Sequence, residues 1–359
     1  MKIGIISPYD ISINGGVTDH IKNLATELNN QGNNVIVIAP QSKKKELFNF
    51  DFISLGHSVP LKFGSTKAHV SLSIKIFFRI KKLFKNSSFD VVHIHEPLIP
   101  FVGLASIFFA NTPIVATFHA SFSPNWKYKF WGFLFKRWLN KIDTVISVSK
   151  TAANCIGNYG FRVQPKIIPN GTNISRFYNK TKNNSKNINI LFVGRNEKRK
   201  GVNLLLKAFK LINKNHKGVT LTLVGEGIKK LERSYNHDNS KFFDHMEGDE
   251  LVKMYWGADI FCSPAIENES FGIVLLEAMA SGLAVIASDI PGYKEVVKDY
   301  HNGVLFSHGS YDSLLIRLEE LLFNKKLRLS ISKKGQAYSK EYDWKKIAVK
   351  IQKTYVDIV

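Results

Sequence analysis

Short apolar runs separated by polar, helix-length stretches recur from the first residues of the chain. Residues 2–7, 35–39, 91–95, 114–119 and 145–149 are rich in Ile and Val and bounded by turn residues, the pattern of strands in a parallel sheet covered on both faces. Strands alternating with helices predict one doubly wound sheet. A polar Asn/Lys-rich stretch at 179–187 follows, after which the same alternation restarts with runs at 188–194, 221–225, 260–263 and 283–287. The expected fold is therefore α/β, with two Rossmann-like doubly wound domains at residues 1–168 and 169–340 facing a cleft. Ligands of such sheets lie at the carboxyl ends of the strands, which makes that cleft the expected active site. Tyr342-Asp343-Trp344, then Ile347, Ile351 and Tyr355 at helical spacing, predict a terminal helix over 341–359.

The most apolar stretch, residues 98–118, is divided by Pro100, Asn111, Thr112 and Pro113 into a helix and a strand, so it reads as core and not as a membrane span. With 359 residues, 44% of them hydrophobic, two cores are expected. No basic, apolar leader precedes the first strand, and the expected location is cytoplasmic. Cys155 and Cys262 lack the spacing of a zinc or disulfide framework and read as buried thiols. The net charge of +21 comes mostly from 41 Lys, and its placement is uneven. Residues 52–89 carry seven Lys/Arg and residues 97–142 carry five, with no Asp or Glu in either span.

Candidate chemistry centres on residues 267–282, E-N-E-S-F-G-I-V-L-L-E-A-M-A-S-G, a polar loop that turns directly into an apolar helix. With Gly272 opening the helix, the amides of Phe271, Gly272 and Ile273 are unpaired donors at a positive dipole end, suited to an anion. Glu269 and Glu277 flank that position. A carboxylate beside a phosphate is repulsive unless it reaches past the charge, so both are expected to accept from sugar hydroxyls, as a nucleotide-sugar would supply. Arg195 and Lys200, in G-R-N-E-K-R-K-G, close the first strand of the second half, where a guanidinium fork and a point charge can stabilise a departing diphosphate. A solvated basic turn is the competing reading. Gly15 and Gly16 follow the first strand and let backbone approach a ligand. His119 ends the strand at 114–119, where function collects. His93 and His95 alternate along a strand and are expected on opposite faces, one packing and one lining the cleft, without a shared metal.

The run E-S-F-G-x-x-x-x-E-A-M-A-x-G resembles the donor signature of the family-4 retaining glycosyltransferases, which have the GT-B fold. That resemblance implies that Arg195 and Lys200 bind the diphosphate, that His119 contacts the transferred sugar, and that the terminal helix packs back on the first domain. It also implies a catalytic set of His119, Arg195, Lys200 and Glu269, with no metal and no cofactor beyond the nucleotide-sugar. The pieces S-P-Y-D, N-G-G-V, F-D-V-V-H-I-H-E-P, A-T-F-H, I-P-N-G, R-K-G, E-S-F-G-I-V-L-L-E-A-M and Y-D-W, in order, are similar to the phosphatidylinositol α-mannosyltransferases of actinobacterial type. That likeness implies GDP-mannose as donor, Met246 in the base-binding segment, and Tyr9, Lys67, His69 and His119 around the inositol of a phospholipid acceptor. The chain departs from the family's acceptor loop, Y-N-G-S-V-A-R, where residues 63–69 read F-G-S-T-K-A-H, and from its base-binding segment at Asp244 and Leu251.

Residues 75–85, K-I-F-F-R-I-K-K-L-F-K, place Lys75, Arg79, Lys81, Lys82 and Lys85 on one arc with Phe78 embedded, and Ile76, Phe77, Ile80, Leu83 and Phe84 on the other. A cationic face with an aromatic suggests a helix resting on an anionic phospholipid surface, at the inner face of the cell membrane. Residues 125–138, N-W-K-Y-K-F-W-G-F-L-F-K-R-W, could share that interface. Two enzyme alternatives are a family-4 transferase with another nucleotide-sugar and acceptor, and a sugar epimerase on the same fold. A noncatalytic basic protein that binds polyanions is the alternative from another class. It leaves the donor signature unexplained, and no nucleic-acid recognition module is present to support it.

Overall fold

The computed structural model describes residues 1–43, 48–63, 66–119, 136–157, 164–178, 187–235, 239–267 and 269–359, with backbone only at 62, 63, 66 and 67. The chain forms two compact units, Met1–Gly171 with Trp344–Val359, and Thr172–Asp343. The sequence reading places these boundaries at 168/169 and 340/341.

In the first unit, β1 (Lys2–Ile6), β2 (Asn34–Ala39), β3 (Asp51–Ser54), β6 (Val91–His95), β7 (Ile114–Phe118), β8 (Thr144–Ser147) and β9 (Lys166–Ile167) form a parallel sheet of order β3-β2-β1-β6-β7-β8-β9. Its central strands are buried on both faces, which is why they read as unbroken apolar runs. The strand order reverses between β1 and β6, the topological switch point at which open α/β sheets bind ligands. One face is covered by the helix Gly16–Asn30, through Ile21, Leu24, Ala25 and Leu28, and by the terminal helix Trp344–Val356, through Trp344, Ile347, Ile351 and Tyr355. The other is covered by the helices Lys75–Asn86 and Val102–Phe109. Residues 98–118 thus form a core helix and β7. Outside the sheet, β4 (Val59–Phe63) and β5 (Thr66–Val70) make an antiparallel hairpin.

In the second unit, β10 (Ile188–Val193), β11 (Val219–Val224), β12 (Ser240–Phe243), β13 (Ile260–Ser263), β14 (Ala284–Ser288) and β15 (Val304–Phe306) form a parallel sheet of order β12-β11-β10-β13-β14-β15. Its switch point lies between β10 and β13. The helices Val202–Asn215 and Tyr311–Phe323 pack on one face, and Gly248–Trp256 and Ile273–Ala280 on the other. Cys155 and Cys262 are buried and form no disulfide, and burial pushes the Cys262 thiol well above its ordinary pKa. Among the described residues, no helix is long and apolar enough to cross a membrane. The expected linker at 179–187 lies outside them, except Asn187.

Candidate functional site

At the second switch point, β10 runs through Gly194 and Arg195 into a single 3-10 turn, Lys198–Lys200, closed by Gly201. Gly201 takes φ 69°, and a Cβ there would lie 1.8 Å from the Pro264 carbonyl oxygen, so glycine alone lets this turn press on the segment after β13. The Ile266 amide donates to the Arg199 carbonyl at 2.7 Å, fastening the two loops together. The second loop leads through Glu269 to the helix Ile273–Ala280. That helix starts one residue later than expected, with Gly272 as its N-cap at φ 91°, where a Cβ would meet the Tyr293 ring at 2.8 Å.

Five charged side chains join these loops. Lys200 Nζ and Arg199 Nη1 reach Glu269 Oε1 at 2.6 and 2.5 Å, Arg199 Nε reaches Glu197 Oε2 at 2.7 Å, and Arg195 Nη1 reaches Glu197 Oε1 at 3.1 Å. Arg199 and Glu269 are 9% and 12% exposed, so their pairing is largely withdrawn from water, whereas Arg195 is 42% exposed. Three cations against two carboxylates leave a surplus of one positive charge beside the open amides of a helix start. The combination suits an anionic ligand such as a diphosphate.

The structure brings Arg195, Lys200, Glu269, Phe271, Gly272 and Ile273 to one pair of loops. It gives Glu269 a further task, holding Lys200 and Arg199, beyond the expected contact with sugar hydroxyls. Phe271 is buried with its ring tilted against Tyr342, 5.8 Å between centroids, so its amide is what it offers a ligand. Glu277 accepts from the Tyr255 hydroxyl at 2.7 Å, and burial, reinforced by Glu277, keeps that phenol protonated. Met246 is half-buried after β12 against the core that includes Val252 and Tyr255. Sequence reasoning missed Arg199 and Glu197. Arg199 is one of only nine arginines and sits beside Lys200, a signal that was there to be used.

In the first unit, Gly15 and Gly16 begin the helix Gly16–Asn30 after β1, and a Cβ on Gly16 would meet none of the described residues within 4 Å, which leaves room for a ligand. The expectation that His93 and His95 face opposite sides is wrong, because residues two apart on a strand share a face. Their rings lie 4.3 Å apart and both are fully buried. His119 follows β7 on the neighbouring strand, with its Nε2 2.9 Å from His95 Nδ1. His20, from the first turns of the helix Gly16–Asn30, brings its ring within 4.6 Å of His119 and 5.3 Å of His95. Since a carbonyl oxygen can only accept, His20 Nδ1 carries a proton and donates to Asn170 Oδ1 at 2.8 Å. His20 Nε2 is then a bare lone pair, and it has no partner among the described residues. His93 spans Tyr355 of the terminal helix and Thr117, both at 2.6 Å.

Burial holds all four imidazoles neutral at pH 7. It lowers His20 to about 4 and His93 to about 3, and it takes His95 and His119 well below the usual range, with the neighbouring histidines adding to the effect. The His119 amide donates to the buried Glu96 carboxylate at 2.7 Å. One ring nitrogen from each of His20, His95 and His119 lies within 4.8 Å of the others, a set able to hold a metal ion. The sequence reading expects no metal and singles out neither His20 nor Asn170.

Tyr9 bridges antiparallel to Val70, and the Asp10 amide donates to the His69 carbonyl at 3.0 Å, so the chain at Tyr9 runs beside the hairpin that carries His69. The Lys67 side chain lies outside the described residues. On the helix Lys75–Asn86, Lys75, Phe78, Lys81, Lys82 and Lys85 are exposed while Ile76, Ile80 and Phe84 are buried. Phe78 is 66% exposed, unusual for so large an apolar ring. Arg79 is exposed too, but its Nη1 donates to the Leu55 carbonyl at 2.8 Å and ties the helix to the segment after β3. Phe108, half-exposed, packs on Phe77 with 5.9 Å between centroids, and Trp138 lies 6.3 Å from Phe108. Apart from residues 136–138, the basic-aromatic stretch at 125–138 lies outside the described residues.

Two family models match, "Glycosyltransferase Family 4" over residues 14–176 and "Glycosyl transferases group 1" over residues 173–338. The chain is 31% identical over 374 aligned positions to a phosphatidyl-myo-inositol mannosyltransferase of Mycobacterium leprae, covering 99% of this chain and 96% of that one. It is 29% identical to the protein of the same description from Propionibacterium freudenreichii, covering 99% and 94%. Among solved structures, Anabaena Alr3699/HepE in complex with UDP and glucose superposes with a TM-score of 0.78 at 18% identity, covering 99% of this chain and all of that one. At such identity the likeness shows the fold, and the fold is GT-B.

Proposed function

The chain belongs to glycosyltransferase family 4, and from that premise we propose that it is a retaining α-mannosyltransferase moving mannose from GDP-mannose to the inositol of phosphatidylinositol at the inner membrane surface. The observation that carries this reading is Glu269, held by Lys200 and Arg199 directly before a helix start with free amides. The diphosphate would lie on those amides, with Arg195 and Lys200 neutralising the charge that develops as the bond from the anomeric carbon to the phosphate oxygen breaks. The acceptor hydroxyl would form the new bond on the same face of the sugar and pass its proton to the departing diphosphate. No nucleophile or cofactor from the protein enters that scheme. Glu269 and Glu277 would accept from the hydroxyls of the mannose and the ribose, and His119 would contact the mannose. Tyr9, Lys67 and His69 would meet the acceptor headgroup.

The exposed arc of Lys75, Lys81, Lys82 and Lys85 around Phe78 supports contact with an anionic bilayer, each cation contributing about 1 kcal/mol near the surface. A second reading, a family-4 transferase with another nucleotide-sugar or acceptor, is favoured by the departures at residues 63–69, Asp244 and Leu251. The test supplies radiolabelled GDP-mannose or UDP-glucose with vesicles containing phosphatidylinositol or a neutral lipid. Label entering the organic phase only with GDP-mannose and phosphatidylinositol supports the first reading. Transfer from UDP-glucose, or to another acceptor, replaces it with the second.

A further inference from the structure

We propose that His20, His95 and His119 form a binding site for a divalent transition-metal ion, with zinc the best fit. Three observations converge on these residues. One ring nitrogen from each lies within 4.8 Å of the others, and all three rings are buried. Among the described residues, His20 Nε2 is buried without a hydrogen-bond partner, a costly state that a cation would relieve. His20 is oriented by Asn170 through its other nitrogen, the outer-shell carbonyl contact that metal-bound imidazoles habitually make.

The chemistry also fits. Zinc takes neutral imidazoles at about 2.0–2.1 Å, which in a tetrahedron places neighbouring ligand nitrogens about 3.3 Å apart. His95 Nδ1 and His119 Nε2 already stand 2.9 Å apart, close to that spacing. Binding would turn a lone pair of each inward and break their mutual hydrogen bond. Three histidine ligands leave a fourth position open, and His119, at the end of β7 and 8% exposed, is the least buried of the three.

Metal binding stands independently of the proposed transfer reaction. One consequence does rest on that reading: an ion would occupy His119, the side chain assigned to the mannose, so zinc would inhibit transfer and a chelator would restore it. The test uses the full chain, stripped with a chelator and dialysed, then titrated with zinc chloride by calorimetry and with cobalt(II) by visible absorption. The expected result is one ion per chain and the intense bands of four-coordinate cobalt. His20→Gln should weaken binding at least tenfold, and Asn170→Ser by roughly 10–100-fold. His308→Ala, removing a surface histidine paired with Asp289, should leave binding unchanged. Should His20→Gln misfold, by circular dichroism, Asn170→Ser carries the comparison. No zinc binding at micromolar concentration, or equal binding by wild type and the folded variants, overturns the site. Tight zinc binding that leaves transfer untouched would keep the metal site and instead remove His119 from the sugar.

Discussion

Replacing Arg199 by Ala tests the idea that the donor loops are held in place by charge. Its guanidinium bonds Glu197 and Glu269 at once, and it is 9% exposed, so solvent does not substitute for it. Removing one partner of an isolated buried pair costs about 3–5 kcal/mol. Here each carboxylate keeps a second cation, Glu269 with Lys200 and Glu197 with Arg195, which brings the expected loss to about 2 kcal/mol. For the 172 residues of Thr172–Asp343, at roughly 2–4 °C per kcal/mol, this unit should melt about 4–8 °C lower by calorimetry. Because Glu269 then draws on Lys200 alone, kcat/KM for the donor should fall about tenfold, or roughly 1.4 kcal/mol. Arg199→Lys, which reaches only one carboxylate, should fall between Ala and wild type. A melting point within 1 °C of wild type, with unchanged kcat/KM, would refute the reasoning.

Lys200→Ala should lower kcat by about 10²–10³-fold while circular dichroism remains native, and near-normal turnover would exclude Lys200 from stabilising the leaving group. Lys82→Gln with Lys85→Gln removes two exposed cations, about 2 kcal/mol, so sedimentation with anionic vesicles should show roughly 30-fold weaker binding, and unchanged binding would place the interface elsewhere. Between pH 6.5 and about 4 the unfolded chain binds protons that buried His20 refuses, so its contribution to stability is present above pH 6.5 and lost as the pH falls. The loss is about 1.4 kcal/mol per pH unit for His20, with His93, His95 and His119 acting in the same direction among Asn170, Thr117, Glu96 and Tyr355. Urea unfolding in chelator at pH 7 and pH 5 should show this fall, reduced in His20→Gln, and equal stabilities would contradict it.

The central strands were legible because burial on both faces leaves them wholly apolar, as in Val91–His95 and Ala284–Ser288. The edge strands Asp51–Ser54, Lys166–Ile167 and Ser240–Phe243 were not, since each is short and partly exposed and carries too few apolar residues to stand out. The helix start at Gly272 showed through its composition. The rarity of arginine marks Arg199, but its pairing with Glu269, 70 residues away in the chain, arises only from the approach of the two loops. The histidine cluster was hidden for the same reason, with Asn170 lying 150 residues from His20. The faces of His93 and His95, by contrast, followed from strand periodicity alone and were misassigned.

In the proposed reaction the loops around Arg195, Lys200 and the helix Ile273–Ala280 hold the diphosphate of an activated sugar. A crystal soaked with GDP-mannose measures this directly. Phosphate oxygens within hydrogen-bond distance of the Gly272 and Ile273 amides, with Arg195 and Lys200 turned onto them, is the predicted result. A nucleotide bound elsewhere, with Lys200 and Arg199 still paired to Glu269 and those amides empty, would contradict it.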